Sequence, residues 1–270
     1  MSNKIWKSFS IVLHVLFEEI EIQQKMFSQN MFSEAFANSD NVELVNLLIE
    51  YTEIDVSANY NDAIQWASKY GKIAVVDRLL QDVRGRVDPS ACDNVAIRYA
   101  SRNGHIAVVD RLLREDRSRV DPSADNNYAI RWASKNGHIA VVDRLLQDGR
   151  VDPSADNNYA IRVASQNGHI AVVDRLLQES RVDPSADDND AIRVASHNGH
   201  IAVVDRLLQD GAGRVDPSAV NNSAICWANY NGHIAVVDRL WQDGRVDPSA
   251  INNFVFNWIY ELHLTWHLKE

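Results

Sequence analysis

Apolar residues recur along the chain at a spacing that predicts short helices. In the stretch beginning at Asn126, the residues Ala129, Ile130 and Ala133 fall on one face of a helix. Asn126 or Asn127 is a good candidate for the N-cap, because a carboxamide oxygen can accept a free backbone N–H at the helix start. The pattern therefore predicts a first helix with one small apolar face.

A second helix is predicted after a turn at Asn136-Gly137. Glycine suits the left-handed conformation that commonly follows a helix C-terminus. The next helix runs from about Ile139 to Gln147, and its apolar face is predicted to carry Ile139, Val142, Leu145 and Leu146. Neither helix is long enough to be stable alone, so each needs a neighbour that covers its apolar face.

This helix pair is repeated along the chain. Six close copies are anchored by Ala-Ile pairs at Ala63-Ile64, Ala96-Ile97, Ala129-Ile130, Ala160-Ile161, Ala191-Ile192 and Ala224-Ile225. The intervals are 33, 33, 31, 31 and 33 residues, and the difference lies between the Leu-Leu pair and the next Val-Asp-Pro. Variation in length at one place marks a surface loop. A unit returning at this period predicts a stacked repeat array.

All prolines of the chain occupy the same place in the repeat, after the second helix. They are Pro89, Pro122, Pro153, Pro184, Pro217 and Pro248. Proline blocks continuation of a helix and favours an extended or turning connector. Each unit is therefore predicted to be helix–turn–helix–loop.

The segment from Tyr128 to His138, Tyr-Ala-Ile-Arg-Trp-Ala-Ser-Lys-Asn-Gly-His, resembles the ankyrin repeat, whose usual unit reads Thr-Pro-Leu-His-x-Ala-Ala-x-x-Gly-His. The resemblance covers roughly residues 31–258. It implies an all-α, ankyrin-type α-solenoid of about seven stacked repeats with helical end caps. It also implies that a protein partner binds along the concave surface formed by the first helices.

The sequence departs from the ankyrin pattern in three places. Alanine stands in place of the family's proline, and the family's first-helix histidine is replaced by arginine at Arg98, Arg131, Arg162 and Arg193. The connector reads Arg-Val-Asp-Pro-Ser-Ala in place of Gly-Ala-Asp-Val-Asn-Ala. The sequence of these connectors is compatible with regular β-hairpin fingers and equally with plain loops.

Three segments are expected. Residues 1–30 form a helical cap or a docking segment, residues 31–253 form the repeat array with a degenerate first unit at 31–58, and residues 254–270 form a C-terminal capping helix. Residues 254–266 are crowded with aromatic and leucine side chains. An exposed patch that recruits a partner is the alternative for this last segment.

Composition and charge narrow the class of partner. The net charge of −10 disfavours nucleic acid and anionic membranes and favours a basic or neutral protein. No apolar run approaches the ~18 residues of a membrane span, and His14 interrupts the one candidate for a signal peptide. The two cysteines share no metal-ligand spacing and indicate a reducing compartment. We expect the protein to be a monomer located in the cytoplasm, with a nuclear location as the alternative.

The candidate binding site is a stripe on the first helix. Tyr128, Trp132, Lys135 and Asn136 lie on one side, away from the alanines, and this side varies among the copies. Aromatic residues and arginine dominate interface energetics. An alternative is that the aromatic residues only fill gaps between neighbouring helices. The candidate residues are Trp66, Lys69, Tyr99, Arg102, Tyr128, Trp132, Lys135, Tyr159, Gln166, His197, Trp227 and Tyr230.

The sequence gives only weak support for a metal site. The recurring Gly-His histidines belong to separate repeats, so we expect them to bond backbone groups in the turns and not a metal. His263 and His267 lack the glutamate of a zinc-protease motif. The stretch from Asp183 to Asp190 lacks the glycine and distal glutamate of a calcium loop. We expect no metal site and no cofactor.

The sequence thus predicts a non-catalytic scaffold that binds a protein through the first-helix surface. The alternative function is a substrate-recruiting adaptor of a larger enzyme complex, such as a ubiquitin ligase, docked through residues 1–30 or 254–270. No phosphate-binding glycine loop, nucleophile elbow or dinucleotide fingerprint occurs, and we do not expect an enzyme.

Overall fold

The computed structural model describes residues 57–81, 87–115, 119–210, 213–247 and 249–250. The expected N-terminal segment 1–30, most of the degenerate first unit and the expected capping helix 254–270 lie outside the described residues. Within them the chain forms helices in pairs, here called repeats 1 to 6. In chain order the helices are α1 (Ala58–Lys69), α2 (Ile73–Leu80), α3 (Ala91–Arg102), α4 (Ile106–Leu113), α5 (Ala124–Lys135), α6 (Ile139–Leu146), α7 (Ala155–Gln166), α8 (Ile170–Leu177), α9 (Ala186–His197), α10 (Ile201–Leu208), α11 (Ala219–Tyr230) and α12 (Ile234–Trp241).

The apolar face of α5 is buried as the periodicity predicts. In α6 the predicted Ile139 and Leu146 are partly buried, and Val141, which was not assigned to this face, is buried. In α5, Ala129, Ile130 and Ala133 are fully buried, and in α6, Val142 and Leu145 are fully buried. The small alanines on the first helix leave room for an adjacent helix to approach closely. The prediction of two short amphipathic helices per repeat is confirmed.

The repeats stack so that like helices meet. Each first helix packs against the first helices of its neighbours, each second helix packs against the adjacent second helices, and the two helices of a pair also contact one another. The buried residues form one continuous core from Ala63 to Val246. Because every repeat covers the apolar face of the next, the array is stabilised by its interfaces and no repeat has a core of its own.

The turn between the paired helices depends on glycine. Gly137 has φ +76°, a left-handed conformation that L side chains rarely adopt. The N–H of Gly137 donates to the carbonyl of Ser134 at 3.2 Å, and the N–H of His138 donates to the carbonyl of Ala133 at 2.9 Å. These two bonds are those of a Schellman motif, which satisfies the last carbonyls of the first helix. The predicted role of Gly137 is confirmed.

The start of the first helix differs from the prediction. In repeat 3, Ser123 and not Asn126 or Asn127 occupies the N-cap position. Asp125, Asn126 and Asn127 have φ of 53°, 54° and 59°, a left-handed turn that short polar side chains tolerate best. The carboxamide oxygen of Asn127 accepts the N–H of Asp152 in repeat 4 at 2.7 Å. The residue type that suits an N-cap is used here to join two repeats.

The connectors are polar turns. In the loop between repeats 3 and 4, the carboxylate of Asp152 accepts the backbone N–H of Ser154 at 3.0 Å and its hydroxyl at 2.7 Å. Pro153 between them is buried. No strand occurs among the described residues, so in this part of the chain the connectors are plain loops and not β-hairpins.

Candidate functional site

The first-helix stripe lies at partly exposed or exposed positions, except for Val163, which is buried. It comprises, in each repeat, the residues equivalent to Tyr128, Trp132, Lys135 and Asn136. None of the candidate residues on it is buried. Partly exposed are Trp66, Lys69, Tyr99, Tyr128, Trp132, Lys135 and Tyr159, and exposed are Arg102, Gln166, His197, Trp227 and Tyr230.

In repeats 1 and 2 the stripe brings a cation against three rings. The Lys69 ammonium lies 4.6 Å from the centroid of the Trp66 ring and 5.3 Å from that of Tyr70. It also lies 5.8 Å from the Tyr99 ring in the next repeat. Trp66 and Tyr70 stack on one another with centroids 5.5 Å apart. A cation over an aromatic face is attractive, so Lys69 helps to join repeats 1 and 2.

The same arrangement centres on Trp132 in repeats 2 and 3. The Arg102 guanidinium lies 4.7 Å from the Trp132 centroid, and the Lys135 ammonium lies 4.3 Å from it. Tyr128 stacks on Trp132 with centroids 5.4 Å apart, and Arg102 donates to the Tyr128 hydroxyl at 3.4 Å. Trp132 is thus held by a cation from its own repeat and by one from the preceding repeat.

Repeats 4 to 6 carry a different stripe. Val163 and Val194 stand where Trp132 stands, and Gln166 and His197 replace the cation. Aromatic residues return in repeat 6, where Trp227 meets the His197 ring edge-on at 5.4 Å. The stripe therefore has a cationic and aromatic half over repeats 1 to 3 and an uncharged half over repeats 4 to 6, apart from Asp190.

Arginines in the first helix form a second set of contacts between repeats, which was not predicted from the sequence. The Arg98 guanidinium lies 4.6 Å from the Tyr128 centroid and also pairs with Asp125. Arg131 repeats this with the Tyr159 ring and Asp156. A signal was present in the sequence, since arginine follows four successive Ala-Ile pairs, and for the first three of them aspartate follows Ser-Ala in the next repeat.

This arginine series ends within repeats 4 to 6. In repeat 5, Asp190 occupies the position equivalent to Tyr128. Its carboxylate accepts a hydrogen bond from Arg162 Nε at 2.9 Å. In repeat 6, Val220 and Cys226 replace the aspartate and the arginine. Each substitution removes a ring or a charge, so the repeats are not equivalent on this face.

The Gly-His histidines bond the backbone of the preceding repeat. His138 Nε2 lies 3.0 Å from the carbonyl oxygen of Arg102, the last residue of α3. His105, His169, His200 and His233 make the same contact at 2.9–3.0 Å. Burial lowers the pKa of His138 despite the opposing effect of this hydrogen bond. The expectation that these histidines bond backbone groups is confirmed.

Acidic and basic side chains of the second helices pair between repeats. Arg144 Nε donates to Asp110 Oδ1 at 2.9 Å, and Arg175 Nε donates to Asp143 Oδ1 at 2.8 Å. These side chains are 24–46% exposed, so each pair contributes little to stability. The adjacent Asp-Arg pair of the sequence thus points to two different neighbours.

No group of three or more histidine, cysteine, aspartate or glutamate side chains could hold a metal ion in the described part of the chain. His263 and His267 lie outside the described residues. Cys92 is exposed and Cys226 is buried, and neither forms a disulfide bond with another described residue. The longest described helices have 12 residues, and none is long and apolar enough to cross a membrane.

Helix pairs stacked through shared apolar faces define the class of α-solenoid repeat proteins. A family model described as "Ankyrin repeats (3 copies)" matches residues 97–188 and 161–252, which together span more than half of the chain. This protein belongs to the ankyrin-repeat family, and the predicted fold class and family are confirmed. No curated protein matches the chain. Ankyrin repeats generally mediate protein–protein interaction, and the family is typically non-catalytic.

Proposed function

We propose that this protein is a non-catalytic scaffold, that a protein partner binds on the first-helix stripe, and that this stripe forms the concave side of the solenoid. The observation that carries the proposal is the row of partly exposed aromatic and cationic side chains on successive first helices. Trp66, Tyr99 and Trp132 occupy equivalent positions in three adjacent repeats. A partner lying along the stripe would contact all three.

Differences between the repeats also support this assignment. Five of the six described second helices read Ile-Ala-Val-Val-Asp-Arg-Leu-Leu, and the sixth differs only by ending in Trp241. The stripe, in contrast, varies among the repeats at the Tyr128, Trp132 and Lys135 positions, although the Asn136 position is asparagine in five of the six repeats. Positions that vary within an otherwise uniform array are less constrained by stacking than the invariant ones and suit the recognition of a particular partner.

The aromatic side chains have a packing role as well as available surface. Trp132 contacts Arg102 of the preceding repeat, so it contributes to the interface between repeats 2 and 3. Its ring is nevertheless partly exposed, and Trp227 in repeat 6 is 39% exposed. Large rings held rigidly by their neighbours lose little conformational freedom on binding, which favours their use as interface anchors.

The test uses partners captured by the intact chain and then purified. Trp132→Ala and Trp66→Ala should each weaken binding by about tenfold or more, as expected for interface anchors. Trp241→Ala is the matched control, because Trp241 is 50% exposed but lies at the end of α12, outside the stripe. The melting temperature of each variant is measured alongside the affinity.

Two results separate binding from packing. Loss of affinity in the Trp132 and Trp66 variants, with binding retained by the Trp241 variant, supports the proposed site. Unchanged affinity together with a large fall in melting temperature would show that the rings serve only to fill the interface between repeats.

The array is proposed to extend over residues 31–253. The adaptor alternative depends on residues 1–30 or 254–270, which lie outside the described residues, and no observation on the described repeats favours it. A pull-down that compares the full chain with a chain lacking residues 1–30 separates the two functions.

A further inference from the structure

We propose that the partner presents acidic side chains to repeats 1 to 3 and apolar side chains to repeats 4 to 6. This inference rests on the proposed function, since it names the chemistry of the partner bound on the first-helix stripe. It is carried by Lys69, Arg102 and Lys135, which occupy the same stripe position in three adjacent repeats.

These three cations have no carboxylate partner among the described residues. Their neighbours are aromatic rings: Lys69 lies over Trp66, and both Arg102 and Lys135 lie over Trp132. An aromatic face attracts a cation without neutralising it, so the full charge stays available to a partner. Carboxylates brought to the stripe could each pair with one of these cations without displacing an existing ion pair.

The arginines of two other series in the repeats already pair with aspartate. Each arginine of the Ala-Ile-Arg series pairs with aspartate; Arg98 pairs with Asp125, for example. Each inter-repeat arginine of the second helices does the same; Arg144 pairs with Asp110. Many of the acidic side chains that give the whole chain its charge of −10 are thus paired with arginines outside the stripe. Net charge favours a basic partner, but the charge of the stripe over repeats 1 to 3 favours an acidic one.

The backbone carbonyls at the C-terminal ends of the helices that carry these cations are hydrogen-bonded. They therefore do not cancel the positive charge of the side chains. Lys69 and Arg102 are the last residues of α1 and α3, where unpaired carbonyls would repel an anion. The Lys69 carbonyl accepts His105 Nε2 at 2.9 Å and Asn103 Nδ2 at 2.8 Å. The Arg102 carbonyl accepts equivalent bonds from the following repeat at 3.0 and 2.7 Å.

Two carboxylates also belong to the stripe, and their positions agree with this division. Asp62 lies at the first stripe position of repeat 1, at the edge of the described array. Asp190 lies in repeat 5, where it pairs with Arg162 at 2.9 Å and with Arg193 at 3.1 Å. Neither lies between Lys69 and Lys135, so the row of three cations is uninterrupted.

Repeats 4 to 6 present a surface of another kind. At the Trp132 position, Val163 is buried, Val194 is partly exposed and Trp227 is 39% exposed. Gln166 and Tyr230 stand at the Lys135 position, and Tyr230 is 54% exposed. Few charges remain there for a partner, so apolar and aromatic contacts would dominate. The expected ligand is therefore a protein segment that is acidic at one end and apolar at the other.

The experiment selects random 12-residue peptides displayed on phage against the immobilised full chain. Enriched peptides are synthesised with a fluorophore, and their affinities are measured by fluorescence polarisation. The main variant replaces Lys69, Arg102 and Lys135 by glutamine, the residue that the chain itself carries at position 166 in repeat 4. Lys135→Glu is compared with Arg114→Glu. Arg114 carries the same charge and is 70% exposed at the end of the second helix α4, where it pairs with Asp110.

The expected result is that the selected peptides contain more aspartate and glutamate than lysine and arginine. Their affinity for the glutamine variant should be about tenfold lower, as expected for the loss of three exposed charge pairs. Lys135→Glu should weaken binding more than Arg114→Glu. Raising the salt concentration should weaken binding to the wild-type chain and have less effect on the variant.

Neutral or basic peptides that bind the glutamine variant normally but lose binding with Trp132→Ala would overturn this inference and leave the proposed function intact. A selection that yields no peptide dependent on either the cations or Trp132 would overturn both.

Discussion

The imidazole of His169 lies directly against Gly137 in the turn of the preceding repeat. A Cβ atom on Gly137 would be 2.6 Å from His169 Nδ1. From that position His169 Nε2 reaches the carbonyl oxygen of Lys135, 3.0 Å away. The same relationship holds for Gly71 and His105, Gly104 and His138, Gly168 and His200, and Gly199 and His233. Glycine is therefore required by both the backbone conformation and the ring of the next repeat.

The first prediction separates these two requirements. Gly137→Ala and Gly232→Ala both place a side chain at a left-handed position, with φ of +76° and +75°. No described atom lies within 4 Å of a Cβ on Gly232. Gly232→Ala should therefore cost only the conformational penalty of about 1 kcal/mol. Gly137→Ala should cost about 1–3 kcal/mol more, because it displaces His169.

Urea denaturation of the full chain measures both glycine variants. Equal losses of stability would mean that the histidine ring contributes nothing to the interface between repeats.

The second prediction concerns the hydrogen bond between Asn127 and Asp152. Asn127 is 8% exposed, and its side chain satisfies a backbone N–H of the next repeat. Asn127→Ala leaves that donor without its partner and should lower the free energy of unfolding by about 1–3 kcal/mol. Asn126→Ala is the control, since Asn126 has a similar φ of 54° but is exposed and makes no such bond.

Thermal melts compare the two asparagine variants. A fall in melting temperature as large for Asn126→Ala as for Asn127→Ala would show that only the left-handed conformation matters at these positions.

The helices could be predicted because their signals are local. Ala129 and Ile130, or Val142 and Leu145, are close in sequence and share one face by helical period alone. Gly137 likewise identifies its turn without information from elsewhere. These features recur in every copy, which makes the stacked architecture the only arrangement that buries them all.

The contacts between repeats were harder to predict because their partners are distant in sequence. Asn127 bonds a residue 25 positions away, and Arg98 pairs with Asp125, 27 positions away. Residue type alone favoured an N-cap for Asn127 and did not assign a role to Arg98. The stripe was predicted as a surface, but the position of Arg102 over Trp132 follows only from how far one repeat is displaced against the next.

The third prediction concerns a buried hydroxyl in each of repeats 1 to 5. Ser134 is fully buried, and its hydroxyl has no hydrogen-bond partner among the described residues. Ser134→Ala should stabilise the chain by about 1 kcal/mol, because burying an unpaired hydroxyl is unfavourable. The equivalent hydroxyls of Ser68, Ser101, Ser165 and Ser196 share this environment.

Ser123 provides the opposite case within the same repeat. Its hydroxyl donates to the carboxylate of Asp121 at 2.6 Å. Ser123→Ala should therefore destabilise the chain by about 1 kcal/mol. Chemical denaturation distinguishes the two serine variants by the sign of the change, and destabilisation by Ser134→Ala would contradict the expectation.

The final prediction concerns the pH dependence of stability at His138. Burial lowers the pKa of His138, and the nearby His105 and His169 lower it further. The unfolded chain therefore binds a proton more readily than the folded chain, so protonation favours unfolding. Stability should be highest above the ordinary histidine pKa of about 6.5 and should fall as the pH drops below it. Urea denaturation at pH 7.5 and pH 5.5 measures the loss, and His138→Gln, which cannot titrate, should show a smaller difference between the two. An identical pH dependence in the variant would show that His138 is not responsible.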